Sequence, residues 1–325
     1  MNLIQRIFPV FSILFLLITL LSCDQDIQEP EETGELKMSV TDAPVDDAEV
    51  QGVFVTVTEI KVDGESYSGF SGKQTIDLMA YQNGDTYLLG NEELEAGTYN
   101  ELTLVLDLDS DADGNSPGCY VMTQDGRREN LANNISGTME LDVSKNFQVT
   151  ANNTTELVVD VDLRKAIRYE GDDNVSNRNY QFATQSDLNA SLRAVSQEEA
   201  STITGNFEAG AFTNPDKVVV YLYEEGTFDR DQEEVEADTD VRFQGALTSS
   251  LAAESNGSFS YELNFIEPGD YEVVLVALEE ESNGSTAFSG FLQTSLSLNG
   301  AVTSAVTVQA GLSATLDLTI LGLIN

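Results

Sequence analysis

Four aspartates in the segment DLDSDADGNSPGCY (107–120) alternate along the chain as candidate metal ligands: Asp107, Asp109, Asp111 and Asp113. Alternating carboxylates that lead into a glycine, here Gly114, are typical of calcium loops, because Ca²⁺ takes about six to eight oxygen ligands. An EF-hand loop that started at Asp109 would need a bidentate Glu at its last position, but Tyr120 stands there. The spacing therefore predicts either a non-helical calcium loop or an acidic hairpin tip that follows a strand.

Catalytic chemistry has few candidate residues in this sequence. There is no histidine, which removes Ser-His-Asp triads, Cys-His pairs and the commonest zinc ligand. Cys119 has no base or cationic neighbour, so we expect a small semi-buried residue and not a nucleophile. Carboxylate pairs for glycoside hydrolysis are available in so acidic a chain, but no pocket signature accompanies them. We predict that the protein is not an enzyme and has no cofactor other than calcium at the aspartate loop.

The charge balance limits the class of partner. The 325 residues include 15 Lys and Arg against 56 Asp and Glu, a formal net charge of −41. Such a chain is repelled by the phosphates of nucleic acids, so we exclude DNA and RNA as partners. A second acidic run, 224–240, has irregular spacing and is predicted to be a solvated loop. Hydrophobic residues make up 41%, enough for the cores of two domains.

The chain opens with an apolar segment that ends at a cysteine. Arg6 precedes the run IFPVFSILFLLITLL (7–21), which has the length of a signal-peptide core and is short for a transmembrane helix. The sequence Leu20-Leu21-Ser22-Cys23 resembles the bacterial lipobox. That resemblance implies a lipoprotein signal peptide over residues 1–22 and lipidation of the Cys23 thiol, with Cys23 as the first residue of the mature chain. The alternative is an ordinary secretory signal with an incidental cysteine.

An acidic tether follows the cysteine. Residues 23–34 include Asp24, Asp26 and Glu29 and show neither strand nor helix periodicity. An acidic stretch at this place resembles the export signal of surface-exposed lipoproteins in Bacteroidetes, which implies a lipid-anchored protein of the outer membrane that faces outward. The alternatives are a protein that faces the periplasm and, by the enterobacterial rule for Asp after the cysteine, retention at the inner membrane.

From Gly34 onward, apolar and polar residues alternate with the period of strands that have one buried face. The clearest runs are GVFVTVTEIKV (52–62), ELVVDVDL (156–163), SFSYELNFI (258–266) and ATLDLTI (314–320). Asx-Gly pairs such as Asp63-Gly64 and Asn256-Gly257 are typical of hairpin turns between such runs. Helical signals are confined to 186–195. We predict an all-β protein made of tandem antiparallel β-sandwich domains.

An internal repeat indicates that there are two such domains. LEAGTYNELTLVL (94–106) aligns without a gap on IEPGDYEVVLVAL (266–278). Each copy has a glycine, predicted to need positive φ, two residues before a tyrosine at a strand start: Gly97 and Tyr99, Gly269 and Tyr271. The pattern resembles the strand entry of transthyretin-like (prealbumin-like) and carboxypeptidase-regulatory-like sandwiches. We place the boundary in AVSQEEAST (194–202), with domains at 35–195 and 196–325.

The first domain resembles a family of bacterial and archaeal lipoprotein domains. GELKMSVTDAPVDDAEVQGVFVTVTEIKV (34–62) has the strand, the Thr41-Asp42-Ala43-Pro44 turn and the V-x-V-x-V strand with which the domain-of-unknown-function family DUF4382 begins. The match continues in IDLMAYQNG (76–84) and VVDVDLRKAI (158–167). The resemblance covers roughly residues 35–195 and implies fold and location only. Locally, Pro44 fixes φ and the Asp42 side chain can cap the turn.

These observations favour a non-enzymatic lipoprotein of the cell envelope that offers a surface for binding or adhesion. One alternative is a carbohydrate-binding accessory of a glycan-handling system, because transthyretin-like sandwiches resemble starch-binding modules in fold. Sugar platforms favour Trp, which is absent, but the 11 Tyr keep this alternative open. Another alternative is a calcium-dependent binding protein. The expected partners are therefore the membrane, through the lipid, and a glycan or protein ligand.

Overall fold

The computed structural model describes residues 32–43, 50–170, 179–208, 215–233, 243–280, 286–298, 301–303 and 305–324. The chain divides into one unit over Met1–Glu32 and a second over Thr33–Asn325, which contains every strand and helix given below. The predicted signal peptide, Cys23 and Pro44 lie outside the described residues. Within these ranges, no helix is long and apolar enough to cross a membrane.

The N-terminal half consists of thirteen strands, a single 3₁₀ turn and two short helices. The strands are β1 (Thr33–Ala43), β2 (Val50–Val62), β3 (Glu65–Ser66), β4 (Gln74–Asp77), β5 (Tyr87–Glu95), β6 (Gly97–Asp107), β7 (Tyr120–Thr123), β8 (Arg128–Asn130), β9 (Thr138–Val149), β10 (Thr154–Asp162), β11 (Ile167–Glu170), β12 (Asn179–Phe182) and β13 (Leu192–Ser196). The helical elements are the 3₁₀ turn Leu78–Ala80, α1 (Leu163–Ala166) and α2 (Gln185–Ala190). Helix α2 starts one residue before the run in which helical signals were found.

Two sheets face each other in this half and form a β-sandwich. One has the strand order β13-β10-β1-β5, and the other has the order β8-β7-β2-β6-β9 with β3 and β4 also paired to β2. The core between them is apolar because the alternating residues of each strand turn one face inward. Its fully buried members include Leu36, Met38, Val53, Leu102 and Leu157. Strands β11 and β12 pair only with each other.

The C-terminal half adds ten strands and one helical turn. The strands are β14 (Ser201–Glu208), β15 (Lys217–Glu224), β16 (Thr248–Leu251), β17 (Ala253–Ser255), β18 (Ser258–Ile266), β19 (Gly269–Glu280), β20 (Thr286–Leu298), β21 (Ala301–Thr303), β22 (Val306–Val308) and β23 (Ala314–Ile324), and the helix is α3 (Arg230–Glu233). One layer contains β14, β17 and β18, and the other contains β15, β16, β19 and β20. Strand β23 pairs with β14 in the first layer and with β20 in the second, so it joins the two.

The second half has cores on both faces of its larger layer. Between the layers lies a cluster that includes Ile203, Val220, Leu275 and Leu316. On the outer face, an aromatic cluster that includes Tyr221 and Phe291 is also buried. Strand β15 therefore has six consecutive buried residues, Val218–Tyr223, in place of an alternating pattern.

The all-β prediction of two tandem sandwiches is confirmed, with one difference in strand direction. Strands β1 and β10 pair parallel in the first sandwich, and β14 and β23 pair parallel in the second. Parallel neighbours need a long connection, and here the intervening strands of each sandwich supply it. The separate cores span residues 36–194 and 203–320. The exact boundaries of the domains stay a prediction.

The internal repeat is visible as one hydrogen bond in each half. The hydroxyl of Tyr99 donates to the carbonyl of Glu95 at 2.9 Å, and the hydroxyl of Tyr271 donates to the carbonyl of Glu267 at 2.9 Å. Each tyrosine thus fixes the turn that enters its strand. The prediction of positive φ for the preceding glycines is wrong, because neither Gly97 nor Gly269 is among the residues with positive φ. A Cβ at Gly269 would lie 3.0 Å from the Tyr271 hydroxyl, whereas nothing lies within 4 Å of a Cβ at Gly97. Close packing therefore explains why a glycine is present at position 269 but not why one is present at position 97.

Candidate functional site

A polar cavity of about 260 Å³ lies where the two sandwiches meet. We call it the inter-sandwich cleft, and define it by its lining residues: Asp160, Asp162, Lys165, Ala190, Ser191, Leu192, Arg193, Glu224, Thr227, Gly245, Ala246 and Leu247. Concave sites at domain interfaces with a few convergent polar groups are the usual places for ligands. The cleft is therefore the strongest candidate site in the described part of the chain.

Strand β10 places two carboxylates on the cleft side of its sheet. Its side chains alternate, so Val159 and Val161 join the core of the first sandwich while Asp160 and Asp162 face the other way. Both aspartates are only 5% exposed, because the second sandwich covers that face. Buried carboxylates need partners, since an unpaired charge in such a place is costly.

Arg193 pairs with the first of these carboxylates and links the sandwiches. It lies opposite Asp160 in the pairing of β10 with β13. Its Nε and Nη2 donate to Asp160 Oδ2 at 2.7 and 2.6 Å, and its Nη1 donates to the carbonyl of Phe265 in the second sandwich at 2.6 Å. All three nitrogens of the guanidinium are thus used, and Nη2 also donates to the carbonyl of Asn264 at 3.4 Å. The ion pair therefore holds one wall of the cleft in place.

Asp162 organises the opposite wall through helix α1. Its Oδ1 accepts a hydrogen bond from the backbone N–H of Arg164 at 3.2 Å, which caps the helix, and its Oδ2 accepts one from Arg164 Nη2 at 2.7 Å. Lys165 Nζ lies 3.6 Å from the same oxygen and donates to the carbonyl of Ala246 at 2.6 Å. Burial lowers the pKa of Lys165, although the charge of Asp162 opposes that shift. The Arg164 guanidinium lies over the ring of Tyr221 at 4.7 Å from its centroid.

Two buried polar groups lie directly behind the cleft wall at Gly245. Glu233 Oε1 accepts a hydrogen bond from the Gly245 N–H at 2.9 Å. Its Oε2 and the hydroxyl of Tyr223 are buried, and neither makes a hydrogen bond of ordinary geometry to the described residues. Burial raises the pKa of Tyr223, and the nearby charge of Glu233 raises it further. A Cβ at Gly245 would lie 2.3 Å from Glu233 Oε1, so this wall has no room for a side chain.

Asp42, from the Thr-Asp-Ala-Pro segment, is a separate buried carboxyl. It is 5% exposed, its Oδ2 accepts a hydrogen bond from Gln82 Nε2 at 3.1 Å, and its Oδ1 has no partner among the described residues. Burial raises the pKa of Asp42 well above its usual range, and the neighbouring charges of Asp160 and Asp162 raise it further. This shift favours the neutral form of the carboxyl, whereas the sequence indicated only that Asp42 can cap the turn.

The four aspartates predicted to bind calcium are held by different donors. Asp107 Oδ1 accepts from the N–H of Asp109, and its Oδ2 pairs with Lys73 Nζ at 2.7 Å. Asp109 accepts from the N–H of Gly137 at 3.0 Å. These bonds fix the loop after β6.

The remaining two aspartates differ in exposure. Asp111 is buried, accepts from the N–H of Asn115 at 2.7 Å and lies 3.3 Å from Arg128 Nη1, whereas Asp113 is exposed. The hydrogen bonds from Asn115 lower the pKa of Asp111. Across the described ranges, no three acidic side chains lie close enough together to hold a metal ion. The calcium loop stays a prediction.

Cys119 lies in the core of the first sandwich. Burial raises the pKa of its thiol to about 12, and its Sγ lies 3.6 Å from the carbonyl of Asp107. A thiol in this state is protonated at neutral pH, in agreement with the expectation that Cys119 is not a nucleophile.

A sugar-binding surface needs aromatic rings that lie side by side, and Tyr81 and Tyr87 meet this requirement only in part. The rings of Tyr81 and Tyr87 lie 5.3 Å apart between centroids at one end of the first sandwich, and both are half-buried. Their planes are tilted by 60°, so they do not form a flat platform.

The cleft was not found from the sequence. The signal that points to it is the pattern Val158-Val159-Asp160-Val161-Asp162, in which acids occupy the face of a strand that lies opposite the core. Such a pattern is normally a solvated face. Only Arg193, far along the chain, shows that this face is buried and paired.

Residues 33–183 match the model of one protein family, described as a domain of unknown function (DUF4382). The match covers most of the first sandwich and confirms the resemblance found in the sequence. No curated protein matches the chain.

Solved structures give distant likenesses only. A leucine-rich repeat protein from Bacteroides thetaiotaomicron is 12% identical with a TM-score of 0.26, and the alignment covers 90% of this chain and 26% of that chain, about a quarter of its length. A protein assigned to cell adhesion from Bacteroides fragilis is 10% identical with a TM-score of 0.20, over 90% of this chain and 94% of that one. The CBM26 domain of Amy13K from Eubacterium rectale, solved with maltoheptaose, is 12% identical with a TM-score of 0.19, over 88% and 91%. At these scores, none of the likenesses carries an argument about ligand.

Proposed function

We propose that this chain, in which residues 33–183 form a domain of the DUF4382 family, is a non-enzymatic binding module of the cell envelope. The observation that supports this proposal is the inter-sandwich cleft, a concave polar site of about 260 Å³ with walls fixed by ion pairs. Its rigid walls favour binding, because little freedom is lost when a ligand enters a preformed site.

The chemistry of the cleft favours binding over catalysis. The carboxylate of Asp160 is engaged by Arg193, and that of Asp162 by Arg164, so each is held in a charged pair. A general acid or base must lie within hydrogen-bond reach of the proton it moves, and here Oδ2 of each aspartate is occupied by a guanidinium. The only thiol in the described residues, that of Cys119, is protonated and lies in the core.

The location is proposed from the N-terminal sequence. A lipid on Cys23 would anchor the chain to the outer membrane, with the sandwiches facing the cell surface. Two or three acyl chains hold a protein firmly, because each buried methylene contributes about 0.8 kcal/mol. Labelling with tritiated palmitate tests the anchor: we expect label in the wild type and none in Cys23→Ser. Protease treatment of intact cells then separates surface exposure, in which the sandwiches are cleaved, from a periplasm-facing protein, which stays protected.

The binding function is tested with the full-length chain in a thermal shift screen. The panel contains neutral sugars, organic cations, peptides and Ca²⁺. A module with a preformed cleft is expected to rise in Tm with at least one class, in proportion to the logarithm of ligand concentration. A variant in which an exposed lining residue fills the cleft, Thr227→Trp, should lose that response. A panel that gives no shift for any class, at concentrations up to the millimolar range, contradicts the proposal.

A carbohydrate-binding role is the second candidate, and the Tyr81–Tyr87 pair favours it. Stacking of a sugar on a tyrosine would be lost in Tyr87→Ala, while the cleft would be unchanged. If a sugar shifts Tm in the wild type and in Thr227→Trp but not in Tyr87→Ala, the tyrosine pair is the binding site. The opposite pattern assigns the sugar to the cleft.

A further inference from the structure

We propose that the inter-sandwich cleft binds an organic cation, an ammonium or guanidinium group, through Glu224 and Asp160. This inference deepens the proposed function by naming the ligand class of the same site. It follows from the donors and acceptors of the lining, the groups behind its wall, and its charge.

Both cationic side chains of the cleft already donate to acceptors of the protein. Arg193 donates to Asp160 and to two carbonyls of the second sandwich, and Lys165 donates to the carbonyl of Ala246. A ligand that brought acceptors, such as a carboxylate or phosphate, would have to displace these bonds. Each displaced bond leaves a buried group unpaired, which weakens binding.

The acceptors, in contrast, are incompletely used. Arg193 engages only Oδ2 of Asp160, and no donor from the described residues reaches Oδ1. The exposed carboxylate of Glu224 at the rim also has no donor in those ranges. A carboxylate oxygen accepts about two hydrogen bonds, so these positions require a ligand that donates.

The groups behind Gly245 add an independent observation. Glu233 is 8% exposed and Tyr223 is fully buried, yet Glu233 Oε2 and the Tyr223 hydroxyl lack hydrogen bonds of ordinary geometry in the part of the chain that the structure describes. Buried polar groups in native proteins are nearly always satisfied, by protein, water or ligand. Gly245 lines the cleft and donates to Glu233, and the Tyr223 hydroxyl lies within reach of the same carboxylate, so this strained buried pair lies behind the wall at Gly245. Neither group lines the cleft, so a donor there would reach the pair through a water.

The charge of the cleft favours a ligand whose hydrogen-bond donor is a cation over one whose donor is neutral. The cleft is lined by three acidic side chains, Asp160, Asp162 and Glu224, and two basic ones, Lys165 and Arg193. With Arg164, which pairs with Asp162, and Glu233 behind the wall at Gly245, four acids stand against three bases, and the whole chain carries a formal net charge of −41, which attracts cations and repels anions. A charged donor to a carboxylate makes a hydrogen bond that is roughly twice as strong as a neutral one.

Size limits the cation to a small group. A volume of about 260 Å³ corresponds to roughly nine water molecules at about 30 Å³ each. That space accepts the end of a lysine or arginine side chain, or one amine of a polyamine.

Calorimetry with the full-length chain tests the inference. The probes are Nα-acetyl-lysine methylamide for a protein source of the cation and spermidine for a free amine, with the neutral Nα-acetyl-norleucine methylamide and maltose as comparisons. Glu224→Gln removes the rim charge with little change of shape. Glu225→Gln is the matched control, because Glu225 is also exposed and does not line the cleft.

We expect the cations to bind, the neutral probes not to bind, and Glu224→Gln to weaken cation binding about tenfold, the scale of one charge-assisted hydrogen bond. Glu225→Gln should bind as the wild type does, and affinity should fall as salt is added. Preference for the lysine probe points to a protein source, and preference for spermidine to a free amine. Equal weakening by both variants, or cleft binding of maltose alone, overturns the inference. The maltose result would leave the proposed binding function standing, whereas no binding in the wider panel contradicts both.

Discussion

Replacement of Asp42 by Asn should remove a pH dependence that the buried carboxyl gives to folding. In the folded protein Asp42 is 5% exposed, with one hydrogen bond from Gln82 at 3.1 Å to Oδ2 and no described partner at Oδ1. Its burial, together with the charges of Asp160, Asp162 and Asp77, raises its pKa. Asparagine has the shape of the neutral carboxyl and cannot ionise, so Asp42→Asn mimics the protonated state at every pH.

The sign of the effect follows from which state holds the proton. In the unfolded chain, Asp42 loses its proton above about pH 3.9, while the folded protein keeps it. Stability is therefore fully present below that pH and falls as pH rises towards the folded pKa. Each pH unit in that window costs the wild type about 1.4 kcal/mol, the value for one proton, and costs the variant nothing through this site.

Urea unfolding from pH 4 to pH 8 measures the effect. The free energy of unfolding of Asp42→Asn minus that of the wild type should rise with pH, with a slope that approaches about 1.4 kcal/mol per unit. Taking the difference cancels the contributions of other groups. The variant Asp85→Asn, at an exposed aspartate of the same region, controls for the loss of one negative charge. A difference for Asp42→Asn that stays constant over this range would mean that the folded protein holds an ionised carboxylate, and the reasoning from burial would be wrong.

Three further changes test contacts that hold the fold and the cleft. Arg193→Ala leaves Asp160 buried without its cation, so we expect a loss of about 3–5 kcal/mol in urea unfolding, and a smaller loss in Arg193→Lys would identify charge as the main factor. Tyr99→Phe and Tyr271→Phe each remove one hydroxyl bond and should cost about 0.5–1.5 kcal/mol, more at the buried Tyr271; no cost at either would show that the repeated bond is incidental. Gly205→Ala places a Cβ 1.9 Å from a backbone oxygen of β23 and should lower stability by about 1–3 kcal/mol, whereas an unchanged Tm would show that the layers can shift.

The local pattern of residues was sufficient to predict strands and several turns. Alternation identified β2, β10, β18 and β23, because a strand with one buried face must alternate. The φ angles are 47° at Asp63 and 81° at Gly64, and 55° at Asn256 and 82° at Gly257. Two-residue hairpin turns of this kind require positive φ at both residues. The repeat of glycine and tyrosine located an equivalent strand in each half, and each tyrosine makes the same hydrogen bond.

The same local reasoning failed for strand β15, for the two glycines of the repeat and for the burial of Asp42. Strand β15 has no alternation to read, because the chain covers both of its faces. The glycine prediction assumed a left-handed turn, but the tyrosine hydroxyl holds that turn without one. The residue type of Asp42 indicated a turn cap and gave no information on burial, which depends on neighbouring strands.

The sequence by itself determined an acidic all-β chain without histidine, a match to the DUF4382 family model over residues 33–183 and the strand pattern of both sandwiches. It could not show the cleft, because the residues that form it lie far apart along the chain: Asp160 meets Arg193, and Arg193 meets the carbonyl of Phe265. From the sequence alone, an acidic residue on a strand is predicted to face solvent, because the covering of that face by another domain is not visible in the sequence. Burial and pairing across the two sandwiches are properties of the packed molecule, and they make an acidic strand one wall of the inter-sandwich cleft.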